Sequence, residues 1–379
     1  MEKRIPFNRP TIIGPEFQYL SEALERGHLS GNGNFSKRCQ RLLEEKLGAP
    51  KVLLTHSATA ALEMAALLAD IGPGDEVIMP SFTFCSTANA FVLRGAVPVF
   101  IEIRADTMNM DEAAIEAAIT PRTRAICVVH YAGVGAQMDA IMEIAARHKL
   151  HVIEDAAQAL HADFRGRKLG TFGAMSAISF HETKNLIAGE GGALVINDPN
   201  LAERAEIIWE KGTNRAQFQR GEISKYTWVD IGSSFLPSEL TAAFLFAQLE
   251  AGEDVTERRL AAWHRYHAAL APMEAAGRLR RPSVPQECGH NGHIYFVLAR
   301  NGNERDRALT DLRAEGVDAV MHYVPLHSAP AGLRYGRAAA DLPKTDDLSG
   351  RLIRLPLHPR ITPEEQSRVC EALARTLAA

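Results

Sequence analysis

The chain predicts an α/β protein in which a mostly parallel, seven-stranded sheet is covered on both faces and followed by a smaller α+β domain. Two observations carry that expectation. Short apolar runs lie at 51–54, 76–80, 97–103, 124–130, 151–154, 177–180 and 192–197, and most are spaced by helix-length amphipathic segments, the pattern of βαβ units. Beyond Asn197 the alternation stops and a polar, aromatic stretch takes over. At 379 residues the chain is longer than one hydrophobic core usually grows. Two domains are expected, 1–250 and 251–379.

In order, residues 13–47 carry two amphipathic helical patterns separated by the turn cluster His28-Leu-Ser-Gly-Asn-Gly-Asn34. Strand 51–54 runs into Thr55-His-Ser-Ala-Thr59 and a helix that Gly72-Pro-Gly-Asp75 closes. Strand 76–80 leads to a helix ending at Gly95, and strand 97–103 follows. A helix near 111–119 precedes strand 124–130, and another over 138–150 precedes strand 151–154. The runs at 177–180 and 192–197 bracket a loop and complete the sheet. After a helix at 201–211, the segment to 235 is polar and aperiodic, and long loops in compact domains are often functional. One long helix is expected over 238–275, then a strand at 293–298, a helix at 304–315 and a final helix from 363.

Composition narrows the function. Hydrophobic residues make up 46% and charged residues 23%, with a formal net charge of -4 and no basic stripe, which argues against a nucleic-acid surface. The start, MEKRIPFNRPTIIGPE, has no apolar core of a signal peptide, and no apolar run is long enough to span a membrane. Five cysteines without CxxC spacing fit free thiols in a reducing cytoplasm better than a disulfide frame or a zinc site.

The chemistry centres on 151–192. Asp155 closes a strand, and Lys184 sits 29 residues on in a loop flanked by Gly and Ser. A buried carboxylate and a loop lysine suit a pyridoxal phosphate site: the lysine holds the aldehyde and the carboxylate keeps the ring nitrogen protonated. A surface lysine beside a strand-end turn would read the same on this segment alone. Thr55–Thr59, between a strand and a helix start, offers backbone N–H groups with the hydroxyls of Ser57 and Thr59, a cradle for phosphate or an ordinary N-cap. No GxGxxG or Walker A loop occurs there. Phe84 or Phe82 could stack on a ring at the sheet's carboxyl edge, Gln158 could shape the wall beside Asp155, and Ser179 could donate to a phosphate.

Together PFNRP, THSATAALEMA, GDEVIMPSFTFCSTANA, VFIEIRADTMNMD, VVHYAG, VIEDAAQAL, GTFGAMSAISFHETKN, GEGG and HYVPLH resemble the sugar aminotransferases of the DegT/DnrJ/EryC1 type, across essentially the whole chain. Within that family SFHETKN, EKGTNR and KYTWVDIGSS are similar to the dTDP-4-amino-4,6-dideoxygalactose transaminases. The resemblance implies a fold type I pyridoxal phosphate enzyme whose cofactor, pyridoxal 5'-phosphate, cycles through pyridoxamine 5'-phosphate. It implies L-glutamate as donor and a dTDP-linked 4-keto-6-deoxy sugar as acceptor, for cell-surface polysaccharide synthesis. By motif, Lys184 matches the cofactor-holding lysine, Asp155 the partner of the ring nitrogen, Gln158 its neighbour, Ala58 and Thr59 the phosphate-binding helix start, Ser179 a phosphate contact and Phe84 the stacking aromatic. Lys211, Asn214, Arg215, Arg220, Lys225 and Tyr226 would cover the nucleotide, and His322, Tyr323 and His327 would line the small-domain side. Many relatives carry GxNxR at a dimer seam; here Ser234 stands for that Asn and Leu236 for that Arg. A homodimer with shared sites, or a higher homo-oligomer, is implied. A gluco epimer, another nucleotide sugar and a non-enzymatic regulator remain alternatives; the family's dehydratases carry histidine where Lys184 stands.

Overall fold

The computed structural model describes residues 4–377. Two helices come first, α1 (Glu16–Glu25) and α2 (Asn34–Leu47). The start of α2 is fixed from far along the chain: buried Glu239 accepts hydrogen bonds from the N–H groups of Gly33, Phe35 and Ser36 at 2.7–3.0 Å. A carboxylate there satisfies donors that have no partner within the helix. Gly33 leaves it room, since a Cβ would lie 2.5 Å from the Glu239 carboxyl carbon.

The main sheet contains β1 (Lys51–Thr55), β2 (Glu76–Pro80), β3 (Val97–Ile101), β4 (Thr123–Val129), β5 (His151–Asp155), β6 (Met175–Ser179) and β7 (Gly192–Ile196). Their order is β1-β7-β6-β5-β4-β2-β3. β7 pairs antiparallel with both neighbours and the other pairings are parallel. Alternation along each strand sends side chains into two cores. Val52, Leu54, Ile126 and Val128 face one; Leu53, Ala125 and Cys127 face the other.

An eighth strand, the two-residue Arg337–Ala338, joins parallel to β3. Two residues carry no periodicity, so the sequence gives no sign of it. Glu76 holds it: the carboxylate accepts from Arg337 at 2.9 and 3.2 Å and from Thr120 at 2.7 Å, with Arg122 at 2.5 Å. Burial raises the Glu76 carboxyl, but Arg337, Thr120 and Arg122 outweigh it and bring it down to about 2.

Helices cover both faces: α3 (Ala58–Leu68), α4 (Cys85–Val92), α5 (Met138–His148), α6 (Ala202–Trp209) and α8 (Glu239–Glu250), while the short α7 (Arg215–Gln219), without a buried residue, lies on the surface. The helix expected near 111–119 shrinks to a 3-10 turn, Glu112–Ala114, and one α-turn, Ile115–Ala118. The long helix expected over 238–275 is three. α8 ends at Ala251 (φ -93°, ψ 12°), α9 (Gly252–Ala269) follows, and Pro272 sits in the first turn of Ala271–Ala275. Gly252 stands at the first break because a Cβ there would lie 2.6 Å from the His161 ring.

The C-terminal part adds β8 (Tyr295–Leu298), α10 (Gly302–Ala314), β9 (Leu352–Leu355) and α11 (Pro363–Thr376), with β8 and β9 paired antiparallel. Its core gathers Trp263, Tyr266, Tyr295, Val297, Leu312, Ile353 and Val369, together with Ile5 from the chain start. Ile5 and the Arg337–Ala338 strand thus each cross the expected division at 250. No helix among the described residues is long and apolar enough to cross a membrane.

Candidate active site

At the carboxyl ends of β4, β5 and β6 lies a cavity of about 490 Å³, the edge where sheets of this kind take ligands. Its wall includes Ser57, Ala58, Thr59, Phe84, Asp155, Gln158, Ser179, Lys184, His293, His322, Tyr323 and Arg354.

Asp155 ends β5 and is 7% exposed. Thr87 donates to its Oδ2 at 2.7 Å and the Ala157 N–H to its Oδ1 at 3.2 Å. Its neighbour Glu154 points to the opposite face, as strand alternation requires. There Glu154 pairs with buried His130 at 2.9 Å and accepts from the N–H groups of Gly170, Phe172 and Gly173 at 2.7–2.8 Å. The strand end is therefore pinned from behind, and Asp155 is held where it faces the cavity.

Lys184 lies in the loop between β6 and β7, its backbone N–H bonded to the His181 carbonyl at 2.9 Å. Burial lowers its ammonium to about 8; Asp155 opposes that shift and Arg354 adds to it. A side chain that loses its proton near neutral pH is suited to nucleophilic attack and to proton transfer.

Ser57 caps α3, accepting from the Ala60 N–H at 3.1 Å. Ala61 N–H reaches the Ser57 carbonyl at 3.2 Å. Among the described residues the N–H groups of Ala58 and Thr59 have no protein acceptor, as expected for the first turn of a helix. Thr59 Oγ1 meets Ser86 Oγ at 2.7 Å. β7 passes so close that a Cβ on Gly192 would lie 2.4 Å from the Ala58 nitrogen. A glycine there keeps this helix start open to an anion.

The opposite wall is aromatic. Gln158 accepts from the Ala132 N–H at 2.7 Å and donates to Tyr323 Oη at 2.8 Å. Tyr323 stacks on His322 with ring centroids 3.7 Å apart, and His322 Nδ1 meets Tyr131 Oη at 2.8 Å. Burial holds the His322 and His293 imidazoles well below the usual histidine range. Of the two candidate phenylalanines, Phe84 is 55% exposed and lines the cavity. Phe82, 1% exposed, packs in the core against Tyr131 and Tyr323.

The remaining expected residues lie outside this cavity in their own chain. Lys211, at φ 66°, opens a loop whose crossing point needs Gly212: a Cβ there would sit 1.9 Å from the Asp230 carbonyl oxygen. Asn214 accepts from the Thr227 N–H at 2.7 Å. Arg215 lies 3.6 Å from Glu210, and Arg220 pairs with Glu206 and Glu222 at 2.7 and 2.6 Å. Tyr226 packs on Phe218, and Ser234 bridges Glu210 through its backbone. Glu206 of α6 and Glu210, the residue just after that helix, draw both arginines toward it. His327 turns away to Ser81, 2.8 Å from its Oγ.

Ser86, His293 and Arg354 are among the wall residues that were not candidates from the sequence. Arg354 carried a signal, a single cation in the apolar run Leu352–Leu355. Ser86 lies within the motif GDEVIMPSFTFCSTANA and His293 opens the expected strand at 293–298, but neither pattern assigns its side chain to a site.

A lysine and a carboxylate sharing one wall with an open helix start define a site for a phosphorylated aldehyde cofactor. The profile of the DegT/DnrJ/EryC1/StrS aminotransferase family matches residues 10–374, and the chain belongs to that family. It is 34% identical to the spore coat polysaccharide biosynthesis protein SpsC of Bacillus subtilis (strain 168) over 377 residues, covering 97% of this chain and 96% of that protein. It is 33% identical to the GDP-perosamine synthase of Caulobacter vibrioides over 379 residues, covering 99% and 98%. The fold superposes with a TM-score of 0.91 on Spr1654 from Streptococcus pneumoniae in its PLP form, at 25% identity and 99% coverage of both chains; that protein has also been solved in its PMP form. The fold is fold type I, the enzyme is a sugar aminotransferase, and its cofactor is pyridoxal 5'-phosphate.

Proposed function

We propose that the enzyme transfers the amino group of L-glutamate to C4 of dTDP-4-dehydro-6-deoxy-D-glucose, giving dTDP-4-amino-4,6-dideoxy-D-galactose and 2-oxoglutarate. One observation carries the reaction class: Lys184, Asp155 and the open start of α3 line a single cavity. The segments SFHETKN, EKGTNR and KYTWVDIGSS support the dTDP-linked galacto sugar. The product would supply cell-surface polysaccharide synthesis in the cytoplasm, a setting that the five free thiols fit.

The residues present fit the cofactor. Ala58, Thr59 and Ser179 would hold its phosphate, Phe84 and Gln158 would flank its ring, and Ser234 would reach the partner's site. When bound, the cofactor supplies a ring that takes up the electrons left as a proton departs, and it carries the amino group from donor to acceptor. Asp155, fixed by Thr87 and Ala157, offers buried negative charge to the protonated ring nitrogen. Lys184 anchors the cofactor, moves the α-proton of the donor, and returns a proton at sugar C4. The face from which it does so sets the configuration of the product.

Residues 1–250 would form the cofactor-binding part and 251–379 the smaller part, with His322, Tyr323 and Arg354 reaching the cavity from the latter. Lys211, Asn214, Arg215, Arg220 and Tyr226 lie outside their own cavity, so we assign them to the nucleotide in the partner's site of a homodimer. His327, held on Ser81, supports that wall from behind.

The likeness to a GDP-perosamine synthase favours one second reading, a GDP-linked 4-keto sugar as acceptor. Incubation with L-glutamate and dTDP-, UDP- or GDP-linked 4-keto-6-deoxy sugars decides between them, with products identified by mass and by proton couplings at C4. An axial amine on the dTDP sugar is expected. An equatorial amine would overturn the galacto assignment, and reaction with the GDP or UDP sugar alone would overturn the nucleotide.

A further inference from the structure

Asn185, the residue after Lys184, is buried and ties the lysine loop to the C-terminal part. Its side-chain nitrogen donates to the Asn291 carbonyl at 2.9 Å, and its side-chain oxygen lies 3.0 Å from His293 Nδ1. The Asn291 side chain donates to the carbonyls of Gln158 and Leu160, both at 2.8 Å, and accepts from the His293 N–H at 3.0 Å. Arg259 holds the same turn by donating to the carbonyls of Gly292 and His293. Buried side-chain amides thus lock together the three backbone segments that carry Lys184, Gln158 and His293.

This network fixes the chemistry of the His293 ring. A carbonyl can only accept, so Asn185 turns its NH2 toward Asn291 and its oxygen toward His293. Nδ1 therefore carries the hydrogen, and in a neutral imidazole Nε2 is left as an acceptor. The ring is neutral: burial lowers it well below the usual histidine range, and Lys184, then Arg259 and Arg354, push the same way. His293 shares the cavity wall with Lys184, and among the described residues no group donates to its Nε2.

We propose that His293 is a positioning residue for Lys184: its Nε2 accepts a hydrogen bond from the lysine nitrogen whenever that nitrogen is free of the cofactor. Lys184 takes a proton from the donor, holds it and returns one at sugar C4, so its ammonium stands free in a buried cavity between the transfers. A neutral acceptor aims that ammonium without taking its proton, because the ring is the weaker base of the two. The other charged and titratable groups on the wall are otherwise disposed. Asp155 accepts from Thr87 and Ala157, Tyr323 from Gln158, His322 meets Tyr131, Glu190 lies at the rim 3.7 Å from His181, and Arg354 is a cation. The inference rests on the reading of Lys184 as the cofactor-holding lysine.

Two variants and one spectrum test it. His293→Gln keeps a polar group near the place of Nε2, and His293→Phe keeps a ring without an acceptor. In cofactor-free full-length protein, loss of the acceptor destabilises the ammonium. His293→Phe is therefore expected to lower the pH midpoint for acetylation of Lys184 by acetic anhydride by about one unit. His293→Gln is expected to keep most of the wild-type midpoint. In the holoenzyme, His293→Phe is expected to slow both half-reactions, with L-glutamate and with the keto sugar, about 100-fold, and His293→Gln to recover most of that loss. Wild-type protein labelled with 15N in its histidine rings is expected to show His293 as the Nδ1–H tautomer, with an Nε2 signal that moves in Lys184→Met. An unchanged or raised acetylation midpoint in His293→Phe overturns the proposal. So does an Nε2–H tautomer in wild type, an Nε2 signal indifferent to Lys184→Met, or a loss confined to one half-reaction. Borohydride reduction that places the cofactor on another lysine removes the reading of Lys184 instead, so the two failures are distinguishable.

Discussion

Asp155 and Arg220 are both charged and both held in networks, but their surroundings differ in kind. Asp155 is buried, fixed by one hydroxyl and one backbone N–H, and sits beside a second carboxylate with four partners of its own. Arg220 is about half exposed and pairs with two carboxylates in water. Buried networks are strong because every member is satisfied in a low dielectric, whereas exposed ion pairs contribute little. The cavity wall is thus a rigid place to break and make bonds. The 211–234 segment is a polar surface structure whose charges can exchange partners when a second chain or a ligand arrives.

The contrast can be broken most severely at Lys184. Lys184→Ala should lower turnover by more than about 10³-fold without lowering the melting temperature, since it removes a cation that burial already disfavours. Retained turnover would dismantle the assignment of the wall. The other region is tested in trans. Mixing Lys184→Ala chains with Arg215→Ala chains should restore about a quarter of wild-type activity if sites are shared across a two-fold dimer. A dead mixture would return the segment to its own subunit.

Stability should separate the regions as well. Glu154→Gln breaks the buried pair with His130 and is expected to cost about 3–5 kcal/mol in denaturant unfolding. Arg220→Ala should cost less than about 1 kcal/mol. Equal costs would mean that the two networks do not differ as described. A smaller effect concerns pH. Because burial lowers the Lys184 ammonium to about 8, its neutral amine becomes the major form above that pH rather than near the ordinary lysine value. Acylation of Lys184 in cofactor-free protein, located by peptide mass, should therefore rise through about pH 8 and then level off. A rise that continues toward pH 10 would contradict the burial argument.

The wall was more legible in the sequence than the segment was. Asp155 and Lys184 stand at ends of apolar runs, and the Ser57 cap marks a strand-to-helix junction; each is a local pattern. The alternation of Val52, Leu53 and Leu54 between two cores likewise follows from period-two geometry. What was not legible depends on distant partners. The break at Ala251 answers to His161, the edge strand at 337–338 to Glu76, and the orientation of Arg215 and Arg220 to the carboxylates of Glu210 and Glu206 in and just after α6. The choice between Phe82 and Phe84 was also out of reach, because both lie in one turn and only tertiary packing buries the first. Arg354 lay in between: its lone charge was visible, but its cavity was not.

The central claim is that Lys184 is the residue that carries the cofactor. Borohydride reduction of the holoenzyme, followed by digestion and peptide mass analysis, tests it directly. The account predicts one phosphopyridoxyl adduct, on Lys184, and none on that peptide when reduction follows saturation with L-glutamate. An adduct on another lysine, or none at all in protein that retains its cofactor and turns over, would contradict it.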